Sequence, residues 1–260
     1  MHNYADALKD AEAALASTSS VPYSSAAVSK PTFIDIEDAS WMWGILITDK
    51  DRVSTTGICN FPSHMGSLNY GYASVGGWRR ISPKLYNQIP ESDVRKGWFL
   101  DDTGVSVNLP AAAQAYITKK GAPVYTQVKY GPMNDEWGSN NNATDVILMR
   151  VEEMYLIKAE AQAMNNDVSG GVNTLNSFVN TYRDPSYKCT ATTGEAVQEA
   201  VWHQRRIEFW GEGLAYFDIM RLNKGVNRLG CGFPKTAVFN IAAGDPVQIY
   251  SIPNLSLIHI

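Results

Sequence analysis

The stretch MRVEEMYLIKAEAQAMNNDVSGGVNTLNSFVNTYRDP, residues 149–185, sets the architecture. Apolar side chains at Ile147, Met149, Val151, Met154, Tyr155, Ile157, Ala159, Ala161 and Ala163 recur at helical spacing with charges between them. This predicts a helix over 145–164, of which Asp145 to Leu148 are equally compatible with an extended chain. Asn165-Asn166-Asp167 breaks the helix, and Gly170-Gly171 reads as a turn. A second helix follows over about 171–182, with Val172, Leu175, Phe178 and Val179 on one face, and Pro185 closes it. Two helices joined by a short polar turn form a hairpin about the size of one tetratricopeptide unit.

Working outward, residues 3–16 form another helix, with Tyr4, Ala7, Leu8, Ala11, Ala14 and Leu15 along one side. It matches the second helix of such a unit, although no strict repeated consensus links the two. Residues 194–210 give a further helix ended by Gly211 and Gly213, and Tyr216 to Leu222 begin another turn. Residues 33–130 are irregular: Trp41–Ile47 fits a strand or a helical turn, 83–100 and 111–119 fit short helices, and Val124–Tyr130 fits a strand. The expected fold class is mainly α, with tetratricopeptide-like helical hairpins, long irregular loop insertions and a few short strands. The scaffold covers 1–20 and 145–225, and the loop-rich, ligand-binding insertion covers 33–130.

Composition narrows the function. The chain carries a net charge of −4 and no basic run, so nothing in it neutralises a phosphate backbone or an acidic membrane surface. Cys59, Cys189 and Cys231 are far apart in sequence and give no zinc spacing, which suits small buried hydrophobes. His2, His64, His203 and His259 form no ligand pair, and no P-loop, dinucleotide motif or nucleophile elbow is present. No metal or cofactor is expected. The chain is rich in rings, with 7 Trp and 13 Tyr, which serve either as core or as a stacking surface for flat ligands.

Two charged clusters invite a catalytic reading: Arg150, Glu152, Glu153 and Glu160, and then Arg205, Arg206, Glu208, Glu212, Asp218 and Arg221. Paired carboxylates perform acid–base chemistry on glycosides. Here each carboxylate has an arginine within three or four residues. A neighbouring guanidinium lowers a carboxylate pKa and works against a general acid, so the clusters read as structural ion pairs.

These same segments resemble a known family. RVEEMYLIKAEA (150–161), GVNTLN (171–176), RIEFWGEG (206–213) and YFDIMR (216–221), in this order, are similar to the C-terminal region of the SusD/RagB family. Upstream, Asp93 and Arg95 resemble the family's Asp-x-Arg region, and Ile252-Pro253 its late Ile-Pro, without the Glu that usually follows. The resemblance implies a non-catalytic, nutrient-binding lipoprotein of the bacterial outer membrane, exposed at the cell surface. Such proteins cap a TonB-dependent transporter and deliver glycans, or in some cases peptides, to it. It also implies that residues 1–260 are the C-terminal part of a longer domain, with an N-terminal half and lipid-anchor segment absent and both ends cut. A scaffold missing one side of its stack is expected to be poorly soluble.

Oligosaccharides are held by rings stacked on apolar sugar faces and by side chains bonded to hydroxyls. The loop 61–79 offers Tyr70, Tyr72 and Trp78 with Asn69 and Arg79 as hydrogen-bonding partners, and these five are the expected ligand residues. Trp41, Trp43 and Trp98 are weaker candidates. The same loop rings would equally serve to pin the loop to the helices. A peptide- or protein-binding tetratricopeptide-type scaffold is the alternative function, and a glycoside hydrolase piece a third.

Overall fold

A computed structural model describes residues 3–55 and 60–250. The helices are α1 (Tyr4–Ser17), α2 (Ser25–Val28), α3 (Arg52–Thr55), α4 (Phe61–Met65), α5 (Pro83–Tyr86), α6 (Ala111–Lys119), α7 (Val151–Met164), α8 (Val168–Tyr182), α9 (Gly194–Glu208) and α10 (Ala215–Arg221). The strands are β1 (Trp41–Ile45), β2 (Val146–Arg150), β3 (Val226–Asn227) and β4 (Asn240–Ile241). The chain is mainly helical with few short strands. Cys59, His2, His259 and the Ile252-Pro253 pair lie outside the described residues.

The hairpin α7–α8 is the centre of the scaffold, with α1 and α9 packed on α7. Its turn is built locally. Asn166 adopts φ 69°, a left-handed conformation that asparagine tolerates. The Asp167 side chain then accepts from Gly170 N at 2.9 Å and caps α8. Leu156, Leu175, Phe178, Val179, Val197 and Val201 fill the space between the helices. Each such side chain contributes roughly 1.5–3 kcal/mol when fully buried.

Gly170 and Gly171 sit inside α8 rather than in a turn. A Cβ on Gly171 would come within 2.6 Å of the Ala159 carbonyl and 2.8 Å of the Ala163 Cβ. The glycine is there for close helix approach. The segment before α7 takes the extended alternative and carries it two residues past Leu148: Val146–Arg150 is β2, antiparallel to β1, with Trp41 opposite Arg150 and Ile45 opposite Val146. Pairing with β1 outweighs the helical spacing, as tertiary context commonly does. Val124–Tyr130 forms no strand, only isolated bridges from Thr126 to Arg80, Gln127 to Phe99 and Tyr130 to Thr32. Phe33–Glu37 is likewise irregular.

Beside the helices lies a second core around Phe33, Trp41, Ile81, Trp98, Phe99 and Ile207, and a third, smaller one around Leu68, Leu100, Ile117 and Val128. Trp98 is fully buried and donates from Nε1 to the Val28 carbonyl at 3.1 Å. Trp41 is also buried, whereas Trp43 is 63% exposed. Cys189 is buried and Cys231 only partly so, because it lies in the exposed turn between β3 and β4.

The charged clusters are structural, but their partners are remote in sequence. Glu208 is completely buried and accepts from Arg95 Nη1 at 3.0 Å, Arg150 Nη1 at 2.6 Å and Arg183 Nε and Nη2 at 2.8 Å each. None of these arginines lies within three or four residues of Glu208. Arg95 also binds Asp93, Arg183 also binds Glu152, and Arg150 also binds Glu212, as does Lys129 at 2.5 Å. The network closes with Arg95, Lys129, Arg150 and Arg183 against Asp93, Glu152, Glu208 and Glu212, so its charges balance. A second group joins Arg205 to Glu153 and Asp218, and Arg221 to Glu160 and Asp218. Here the Arg221–Asp218 pair does follow the short spacing.

Burial by itself would raise the Glu208 carboxyl, but the charges of Arg183, Arg150 and Arg95 hold it well below the usual carboxylate range. Glu212 is lowered in the same way, against burial, by Arg150 and Lys129. Burial brings the Lys129 ammonium down to about 8, opposed by Glu212.

This packing sets two expectations for stability. Gly171→Ala, although alanine is the better helix former, is expected to cost about 1–2 kcal/mol by overpacking against α7, read from urea denaturation. Glu208→Gln leaves three buried guanidiniums short of charge and is expected to cost about 3–5 kcal/mol. Because Glu208 and Glu212 are depressed in the folded state, their contribution is complete above the ordinary value of 4.5 and is lost as pH falls towards the folded pKa. The thermal midpoint should therefore hold at neutral pH and fall below pH of about 4.5. A midpoint independent of pH across that acid range would contradict the assignment.

Candidate functional site

The loop 61–79 is held by its own backbone and by neighbouring segments. Asn60 caps α4 by accepting from Ser63 N at 2.7 Å. The Ser63 hydroxyl accepts from Tyr72 N at 2.9 Å, and Tyr70 N donates to the Ser139 carbonyl at 2.7 Å. These bonds fix where the rings emerge, so the two exposed tyrosines sit on an ordered loop rather than a loose one.

Tyr72 is 42% exposed and stacks on His64 at 4.8 Å with an interplanar angle of 27°. The Arg79 guanidinium lies 5.6 Å from the Tyr72 ring centre and reaches His64 Nδ1 at 3.3 Å. A Cβ on Gly77 would approach the Tyr72 ring to 2.5 Å, so glycine at 77 lets the ring lie against the backbone. Tyr72, His64 and Arg79 thus form one aromatic and cationic platform. Tyr70, 49% exposed, is approached by the Lys120 ammonium at 5.4 Å, which also lies 5.7 Å from the Tyr116 ring.

The other two expected residues point elsewhere. Asn69 is buried, and its side-chain amide donates to Asn142 Oδ1 at 2.5 Å, a bond that pins the loop to the segment leading into β2. Trp78 packs on the third core and is only partly exposed. Cavities of about 790, 640, 460 and 390 Å³ open elsewhere and are lined by other residues.

His64 is not among the expected ligand residues, nor are Lys120 and Tyr116. A histidine eight residues before a tyrosine gives no sequence signal of stacking, since the loop between them must first turn back. Arg183 and Lys129 likewise escape sequence reasoning as members of the buried network. Lys129 carries one signal: it is a single cation within the otherwise uncharged run VYTQVKYGP, residues 124–132. Among the described residues, no group of three or more His, Cys, Asp or Glu side chains is placed to hold a metal ion. The carboxylates of the two charged clusters are tied to guanidiniums.

The same architecture occurs in proteins of known structure. The chain superposes on a SusD-like carbohydrate binding protein from Bacteroides vulgatus ATCC 8482 with a TM-score of 0.72 and 20% identity, covering 98% of this chain and 54% of that one. A SusD superfamily protein from Bacteroides thetaiotaomicron VPI-5482 gives a TM-score of 0.71 and 20% identity, again over 98% and 54%. A SusD superfamily protein from Bacteroides vulgatus ATCC 8482 gives 0.69 and 20% identity, over 97% and 51%. The chain thus spans about half the length of these structures. No curated protein matches it in sequence. The family model described as the SusD family matches residues 82–242, more than half of the chain. That match takes in Asp93, Arg95, Lys129, Arg150, Glu152, Arg183, Glu208 and Glu212, the residues that close the buried charge network, and the chain belongs to the SusD family.

Proposed function

We propose that this protein captures glycans at a bacterial cell surface, without catalysing a reaction on them, and passes them to a TonB-dependent transporter of the outer membrane. The observation that carries this reading is the exposed Tyr72 ring, fixed beside His64 and Arg79 on an ordered loop. A ring held in place stacks on a sugar at little entropic cost, and a guanidinium beside it donates to hydroxyls. Tyr70 extends the surface, Asn69 braces it from beneath, and Trp78 anchors its far end. In this reading α1, α7, α8 and α9 are a tetratricopeptide-like scaffold, and residues 33–130 supply the ligand surface. Attachment to the outer membrane is through a lipid anchor. No helix among the described residues is long and apolar enough to cross a membrane.

The absence of catalysis is supported by the state of the carboxylates. A general acid needs a raised pKa, and Glu208 and Glu212 are held low by arginines and Lys129. A second reading, capture of a peptide or protein, is favoured by a cleft of about 390 Å³ between α1, α7 and α10. Phe217 stands 64% exposed at its edge, and Arg205 Nη1 is buried there without a partner.

Titration of the chain against a panel of oligosaccharides and a panel of unstructured peptides separates the two. For a bound glycan, Tyr72→Ala and Arg79→Ala are each expected to raise Kd by about tenfold, the loss of a stacking or charged hydrogen-bonding contact, with unchanged melting. Trp78→Ala, by contrast, should lower stability by about 2 kcal/mol through its lost core packing. Glycan affinity that survives both the Tyr72 and Arg79 changes places the ligand elsewhere, and binding of peptides alone replaces the glycan reading.

A further inference from the structure

A groove of about 790 Å³ lies away from the platform. It runs between the segment 21–39, the loop 107–110 and the turn 133–137. Its volume lies within the range of small-molecule sites. Ile34, Leu109, Pro110 and Trp137 give it an apolar wall. Trp137 is anchored on one side by the third core and remains partly exposed on the other. The turn that presents it holds Asn134 and Asp135 at φ 56° and 55°, consecutive left-handed residues that only short polar side chains adopt readily.

The groove is also lined by a carboxylate that hydrogen bonds hold in place. Trp41 Nε1 donates to the Tyr23 hydroxyl at 2.6 Å, and that hydroxyl donates to Asp38 Oδ2 at 2.7 Å. Tyr23 is itself fixed by the buried charge network: its N–H donates to Glu152 at 2.8 Å, and its carbonyl accepts from Arg183 at 2.8 Å. The Asp38 carboxylate is therefore oriented by a chain of bonds reaching into the core. One oxygen is used in that chain, and Oδ1 accepts no hydrogen bond from the described residues. On the same groove Thr32 is 8% exposed, and its hydroxyl has no hydrogen-bond partner. Such unpaired groups are uncommon in native interiors.

Lys30 and Asp135 on the groove offset one another, leaving Asp38 as its net charge. A negative groove disfavours phosphates, sulfates and uronates. A ring to stack on and a rigid acceptor together fit a neutral, polyhydroxylated ring. We infer that this groove is a second saccharide-binding site, in which a neutral sugar ring stacks on Trp137 while its hydroxyls donate to Asp38. The inference rests on the glycan-capture reading but assigns a location that reading does not.

The test is calorimetric titration of the full chain with neutral cello-, xylo-, manno- and malto-hexaose, and with an oligogalacturonide as the anionic control. Trp137→Ala and Asp38→Asn are each expected to weaken the binding of a neutral hexaose by about tenfold, with melting unchanged for Asp38→Asn and lowered for Trp137→Ala by its lost packing on the third core. The anionic oligomer should bind at least about tenfold more weakly than the neutral one. Trp137→Phe, which keeps a stacking face, should restore most of the affinity and separates a lost contact from a disturbed fold. Neutral glycan binding that responds to Tyr72→Ala but not to Trp137→Ala or Asp38→Asn overturns the groove and leaves the capture reading standing. Binding of none of the glycans overturns both, and preferential binding of the anionic oligomer overturns the groove's assigned chemistry.

Discussion

Glu208 ties the loop-bearing half of the chain to the helical half. It sits at the last residue of α9 and accepts from arginines at 95, 150 and 183, which arrive from a one-turn 3₁₀ helix, the end of β2 and the end of α8. A buried carboxylate without these partners would cost several kcal/mol. Each arginine has a second carboxylate, Asp93 for Arg95, Glu212 for Arg150 and Glu152 for Arg183, so Glu208 joins three smaller ion pairs into one network. Whether such a network adds net stability over an apolar core of the same size is a separate matter. Its geometric effect is definite: it fixes the position of the loop-bearing half against the helices.

That fixed position reaches the surface in two directions. Tyr23 is bonded to Glu152 and Arg183 at its backbone and to Trp41 and Asp38 at its hydroxyl, so the wall of the large groove is an extension of the network. On the other side, Lys129 lies against the faces of Phe33 and Trp98 at 4.4 and 4.5 Å and donates to the carbonyls of Glu208 and Trp210. Gln127, two residues before it, bonds to the Met65 carbonyl and to Ser67 in the loop that carries Tyr70 and Tyr72. Long loops are ordinarily the mobile part of a domain. Here the irregular half is ordered from within by charge and hydrogen bonding, which is what a binding surface built on loops requires.

The helical half is legible in the sequence because its periodicity is local. The spacing of Leu175, Phe178 and Val179, the Asn-Asn-Asp turn and the glycines after α9 each state their role within a few residues. The charge clusters are legible as structural but not in their pairing. Arginine within four residues predicts a neighbour on one helix face, yet a folded chain satisfies a buried carboxylate from whichever guanidinium reaches it, and for Glu208 these come from 25 to 113 residues away. At the surface, Tyr70, Tyr72 and Arg79 stand out as residue types, whereas Asn69, expected at a ligand, instead braces the loop against Asn142.

The order of residues alone thus specifies the helical hairpin and the family, since periodicity and motif order are properties of the chain. Only the folded arrangement settles that 146–150 is a strand, that Gly171 serves close packing, that His64 stacks on Tyr72, and that Asp38, Thr32 and Trp137 share a groove. Each of these depends on which distant residue arrives at a given point in space. Pairing, stacking and burial act through that proximity, and separation along the chain does not encode it.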